Sequence, residues 1–276
     1  MPTVQLSNAR LFAERFGDAG DPLVLIHGSW ADRRSWSRLA PILSGSTRVL
    51  NYDRRGHGAS SGAAPVRPVV EDAEDLAELL VAMDHYPAHL VAHGYGGSVA
   101  FRLASEHPEL VRGVVVHEPP CVGLLEDDPS TTGELSALRR AILVAQGAVR
   151  AGDLDGAIRS YLLNFAEAAV RWEALPPGMR QEFRDNAASW LPESSDPEAD
   201  RPSPAIFGEF LNPVLLTVGA ESPRSLHRIS LALGRLLKNS YAIVLRDTGH
   251  YPHLFQPAQY VGLLHRFLVE RDVPAM

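Results

Sequence analysis

The sequence predicts an α/β protein, an open and mostly parallel sheet flanked by helices, with a helical segment inserted between two of its strands. Three observations carry this expectation. Short apolar runs recur at residues 23–26, 48–52, 88–92, 113–116, 213–218 and 241–245. They are unbroken rather than alternating, as expected of strands buried on both faces of a parallel sheet. Between them lie helical patterns at 71–83, 97–106, 225–237 and 257–269, the first with Leu76, Leu79, Leu80 and Met83 on one face. Strand then helix, repeated, implies parallel strands joined by right-handed crossovers. The alternation then stops after residue 116 and resumes at 213.

The interrupted stretch reads as helix or irregular chain. Helices are expected at 135–147, 154–169 and 179–191, followed by a polar, Pro-rich connector over 192–204. A structureless loop of that length is improbable inside a compact domain. The expected division is therefore a core domain of residues 1–118 and 213–276, with a helical cap of residues 119–212.

Composition narrows the function. The 276 residues carry 26 Lys and Arg against 33 Asp and Glu, a net charge of −7. A nucleic-acid surface needs a basic stripe, and the sequence has none. The same balance disfavours an anionic membrane surface. The single cysteine, Cys121, can form no internal disulfide and matches no metal-ligand spacing. The first residues lack the apolar stretch of a signal peptide, and no run approaches ~18 apolar residues. A soluble, cytoplasmic protein is expected.

Three strand-end motifs carry chemistry. His27-Gly28-Ser29-Trp30 follows the first apolar run; a tight turn there leaves backbone N–H groups free at the carboxyl edge of the sheet, where they can stabilise an oxyanion. The stretch 90–97, Leu-Val-Ala-His-Gly-Tyr-Gly-Gly, runs from strand into helix with the shape of a G-x-S-x-G nucleophile elbow. Its central position is Gly94. Late in the chain, Asp247-Thr248-Gly249-His250 places a histidine on a short loop after the last strand, suited to a general base reaching toward the elbow. Gly94-Tyr95-Gly96 also suggests a dinucleotide fingerprint, but the sixth position is Val99 and no acidic residue falls at the required spacing. No cofactor is expected. Nor is a metal, since His250 and His253 lack a convincing third ligand.

In this order the motifs resemble the α/β-hydrolase superfamily over nearly the whole chain. The loop Asp53-Arg54-Arg55-Gly56-His57-Gly58-Ala59-Ser60 and the stretch Val116-His117-Glu118-Pro119-Pro120 extend the resemblance. It implies an α/β-hydrolase fold with a cap, and an enzyme acting on a small to medium apolar ester, lactone or related carbonyl compound. His250 would be the general base and acid, oriented by Glu118 or Glu221. The backbone N–H groups of Ser29 and Tyr95 would form the oxyanion hole. Trp30, Phe165, Trp172 and Trp190 are candidates for an apolar pocket, and equally for ordinary packing of cap on core. Asp53 and Arg54 are each candidates for structural ion pairs.

The sequence departs from the family at two places. The elbow residue of the family is Ser, sometimes Cys or Asp, and Gly94 supplies no nucleophile. The family commonly places its acid three residues beyond a glycine after the penultimate strand; here Ser222 stands there, with Glu221 one residue early. Three readings of Gly94 compete: a hydrolase whose Ser has been replaced, a natural catalyst that works without a covalent intermediate (a cyclase- or lyase-type reaction included), or a silent small-molecule-binding protein. Retention of a histidine, a carboxylate and an oxyanion turn favours the first two.

Overall fold

The computed structural model describes residues 3–62, 68–165, 172–208 and 210–270. Nine strands form one sheet: β1 (Thr3–Gln5), β2 (Ala9–Phe16), β3 (Asp21–Ile26), β4 (Thr47–Tyr52), β5 (Ser61–Gly62), β6 (Ala88–His93), β7 (Val111–His117), β8 (Val214–Gly219) and β9 (Ser240–Leu245). Their order is β1-β2-β4-β3-β6-β7-β8-β9, with β5 paired to β2. From β4 to β9 every pairing is parallel, while β1, β2 and β5 are antiparallel additions at one end.

Alternate residues of each central strand serve opposite layers, which is why these runs are apolar throughout. Val24 and Ile26 of β3, Leu90 of β6 and Val114 of β7 face one buried layer. Leu23, Leu25, Val91 and Val115 face the other. Each such side chain contributes about 1.5–3 kcal/mol through burial. β9 differs from the expected doubly buried strand: Tyr241 and Val244 are exposed because it ends the sheet. No unbroken apolar run marks the antiparallel strands β1, β2 and β5 in the sequence. In β2 the pattern is irregular, with exposed Arg10 between buried Ala9 and Leu11.

The helices are α1 (Ala40–Leu43), α2 (Pro68–Ala82), α3 (Tyr95–Glu106), α4 (Thr132–Arg150), α5 (Leu154–Phe165), α6 (Pro177–Asp185), α7 (Trp190–Glu193), α8 (Pro197–Asp200), α9 (Ala205–Gly208), α10 (Arg224–Leu236), α11 (Pro252–Phe255) and α12 (Pro257–His265). Between β7 and β8 the described residues hold helices and turns but no strand. The helix expected over 154–169 is described to Phe165; residues 166–169 lie outside the described residues.

Two expectations in this segment are corrected. The helix read over 179–191 is two helices, α6 and α7. Asn186 separates them, donating from its side chain to Glu182 O at 2.8 Å and to Asp32 at 3.2 Å. The connector over 192–204 contains α8, which Asp196 caps by accepting from Glu198 N–H. A third apolar cluster joins this segment to the sheet: Ile158, Leu162, Trp172, Phe183 and Trp190 pack with Trp30 and Tyr251 from the sheet's loops.

Candidate active site

The loops at the carboxyl ends of β3, β6, β7 and β9 converge on one point. Gly94 follows β6 directly with φ 52° and ψ −125°, and α3 begins at the next residue. Glycine enters this region freely, whereas a side-chain-bearing residue there costs ~1–3 kcal/mol. The helix starts hard against β3: a Cβ on Gly96 would stand 2.6 Å from Ile26 O and 2.7 Å from His27 O. At Gly94 the nearest atoms leave room, with Gly28 Cα 3.8 Å and His250 Nε2 4.0 Å from where a Cβ would stand.

His250 sits on the loop after β9. Its Nδ1 is 2.7 Å from Glu118 Oε2. A carboxylate only accepts, so Nδ1 carries the proton and Nε2 presents a lone pair. That Nε2 is buried and has no hydrogen-bond partner among the described residues.

Glu118 follows β7 with φ 49°. Its Oε1 accepts the N–H of Gly219 at 2.8 Å and lies 3.5 Å from His117 Nε2. Burial alone would raise its pKa. The imidazoles of His117 and His250, the latter hydrogen-bonded to it, outweigh burial and hold it at about 2. The carboxylate is therefore ionised at neutral pH. Glu221 is exposed, and the carboxylate that meets His250 is that of Glu118. Ser222, at the place where the resemblance puts an acid, is buried beside Glu118.

The turn after β3 is held by Arg54. Its Nε donates to His27 O at 3.1 Å and its guanidinium to Gly28 O at 3.3 Å, while its backbone N–H donates to His27 Nε2 at 3.0 Å. Fixing the Gly28 carbonyl fixes the planar Gly28–Ser29 peptide, so the Ser29 N–H points away from Arg54. The Tyr95 N–H, at the first position of α3, has no acceptor within its helix.

The match to the Alpha/beta hydrolase family spans residues 23–263. The chain belongs to that family. It is 28% identical over 276 residues to 2-hydroxymuconate semialdehyde hydrolase of Pseudomonas sp. strain CF600, covering 94% of this chain and 90% of that protein. A shorter match, 32% over 130 residues, is to the dihydrolipoyllysine-residue acetyltransferase component of the acetoin cleaving system of Pseudomonas putida. It covers 47% of this chain and 35% of that protein, so the chain spans about a third of that relative. Among solved structures, Est816, described as an N-acyl homoserine lactone degrading enzyme, superposes with a TM-score of 0.77 at 22% identity, covering 97% of this chain and 100% of that one. A thermophilic esterase from Thermogutta terrifontis gives 0.74 at 23%, covering 99% and 100%. At these identities the structural likeness shows the shared fold.

In this hydrolase the converging loops open onto a cavity of about 60 Å³. Ser29, Gly94, Tyr95, Glu118 and His250 line one side of it. Ile142, Tyr161, Phe165 and Trp190 line the other, together with Glu193 of α7. Phe165 and Trp190 thus stand on the wall. Trp30 and Trp172 do not line it. Trp30 is fully buried, its ring 4.6 Å from that of Trp190, and Trp172 packs on Phe183 and under Arg184.

Arg54 and Glu193 went unrecognised as parts of the site. Asp53 and Arg54 both form the ion pairs expected of them, each with a partner from another part of the chain. Asp53 pairs with Arg33 at 2.7 Å; Arg54 lies between Asp72 and Glu193, each at 2.5 Å. Burial is opposed at Glu193 by Arg54 and His57, which hold its pKa at about 2. Its other oxygen accepts the Ser29 hydroxyl at 2.6 Å. Nothing local in the sequence marks Glu193, 139 residues from Arg54.

Proposed function

We propose that this chain is a cofactor-independent hydrolase of small to medium apolar esters, lactones or related carbonyl compounds that works by general-base attack of water. One observation carries the reading. The unpartnered Nε2 of His250 faces Gly94 at the elbow, with Glu118 behind it on Nδ1. Water beside Gly94 gives its proton to Nε2 as its oxygen bonds to the substrate carbonyl carbon. The imidazolium is stabilised by ionised Glu118, and the oxyanion is held by the N–H groups of Ser29 and Tyr95. Collapse of the tetrahedral intermediate breaks the bond to the leaving oxygen, which takes the proton back from Nε2. The helical segment serves as a cap whose Phe165 and Trp190 present an apolar wall to the acyl group. The hydrolytic activities named for the family relatives support the carbonyl class.

The test is turnover of a panel of 4-nitrophenyl esters and aliphatic lactones by the purified chain and by His250→Ala. Turnover that falls by about 10²–10⁴ in the variant is expected. Ligand binding without turnover, unchanged in His250→Ala, would establish a binding protein instead.

A further inference from the structure

His93 and His117 are the last residues of β6 and β7, one position before Gly94 and Glu118 respectively. They are register partners on neighbouring parallel strands, and their rings stack at 6.0 Å and 14°. Both rings are buried, and both reach across to the loop that carries His250. His93 Nε2 is 2.7 Å from His250 O, and His117 Nε2 is 3.1 Å from Gly249 O. A carbonyl oxygen only accepts, so both histidines carry their proton on Nε2 and donate. Thr217 completes the arrangement, its hydroxyl 3.0 Å from His117 Nδ1. The other edge of His93 lies against the oxyanion turn, where a Cβ on Gly28 would be only 2.7 Å from Nδ1.

The chain neighbours of the elbow residue and of the acid thus hold the backbone of the base. We propose that His93 and His117 are positioning residues, two neutral imidazoles whose Nε2–H groups clamp the 249–250 backbone so that His250 meets Glu118 on one side and Gly94 on the other. Burial favours the neutral state, lowering the pKa of His93 well below the ordinary value and that of His117 to about 4. The catalytic consequence rests on the general-base reading above; the clamp itself is a statement of geometry.

The experiment reads the far-downfield proton resonance of His250 Nδ1–H, which reports its hydrogen bond to Glu118 without any substrate. It is recorded for the unaltered chain, for His93→Phe and His117→Phe, and for His93→Gln and His117→Gln, whose amides can donate from nearly the same place. The Phe variants are expected to lose or broaden the signal and lower kcat by about 100-fold with KM little changed. The Gln variants are expected to keep the signal and recover most of the rate. Folded Phe variants with an unchanged resonance would overturn the clamp, as would Gln variants that behave like Phe. Should the Phe variants not fold, imidazole 15N shifts of the unaltered chain decide: an Nδ1–H tautomer in either histidine overturns the proposal, and Nε2–H in both supports it. A chain that turns nothing over yet shows the expected resonances refutes the general-base reading and leaves the clamp standing.

Discussion

His250 Nδ1 and Glu118 Oε2 lie 2.7 Å apart although 132 residues separate them in sequence. This carboxylate comes from the strand next to the elbow, and the position where the resemblance puts an acid is occupied by Ser222. Moving the acid between strand ends keeps the same chemistry because what matters is reach to one imidazole nitrogen. Only a carboxylate ionised throughout the working pH range can stabilise the imidazolium formed during proton transfer.

Restoring a hydroxyl at the elbow is the first prediction. In Gly94→Ser the new Cβ meets nothing closer than 3.8 Å, and the added Oγ falls within reach of His250 Nε2. The variant should show an acyl-enzyme burst with activated esters and label with a fluorophosphonate. It should also lose ~1–3 kcal/mol of stability, since Ser must adopt φ near 52°. A folded variant that neither bursts nor labels would show that the pair His250–Glu118 cannot activate this position.

The charge buried around Arg54 sets the second. Replacing Arg54 by Met leaves Asp72 and Glu193 buried without their shared counter-charge. Loss of a partner from such a site costs about 3–5 kcal/mol. Urea denaturation at neutral pH should show a loss of this size, whereas Arg34→Met, whose guanidinium is half exposed, should cost far less.

Acid should destabilise the fold over a defined window. Glu118 and Glu193 both have folded pKa values near 2, below the ordinary 4.5. Their contribution is complete above about pH 4.5 and is lost as the pH falls toward 2, because the unfolded chain takes up the protons first. The melting temperature should fall through this interval. In Glu118→Gln the fall should be shallower.

Glu182 has the opposite sign. Burial, and then the neighbouring charge of Asp32, raise its pKa to about 8, while its Oε1 accepts the Asp32 N–H at 3.2 Å. The folded state holds this proton where the unfolded chain has released it, so stability from this group declines as pH rises from about 4.5 to 8. Glu182→Gln keeps the acceptor and removes the ionisation. It should raise stability at pH 8 by roughly 4 kcal/mol and by less than about 1 kcal/mol at pH 5. Equal effects at the two pH values would refute the assignment.

Truncating the cavity wall should alter substrate choice. Phe165 and Trp190 face the loops of the sheet across about 60 Å³. Phe165→Ala should raise the ratio of kcat/KM for long over short acyl chains, measured on a 4-nitrophenyl ester series. An unchanged ratio would place the acyl group elsewhere.

Particular residues show what could be read in advance. The run Leu23–Ile26 announced a central strand because each of its faces meets an apolar layer. The antiparallel β2 stayed hidden because it alternates exposed and buried residues irregularly. Gly94 and His250 were legible through local patterns, a strand-to-helix turn with small flanks and a histidine after the last strand. The choice between Glu118 and Glu221 was not, since both follow strands and only a distance to His250 separates them. Glu193, Tyr161 and Arg54 reached the site by folding alone.

The sequence by itself determined the parallel sheet, the helical segment between β7 and β8, and a glycine at the elbow, because periodicity and turn chemistry are local properties. The tertiary structure decided which carboxylate backs the histidine, which aromatic rings wall the cavity, and which partners neutralise Arg54. These depend on contacts between residues distant in sequence, 132 positions for Glu118 and His250 and 139 for Arg54 and Glu193, and such distances are set only when the strand ends are brought to one edge of the sheet.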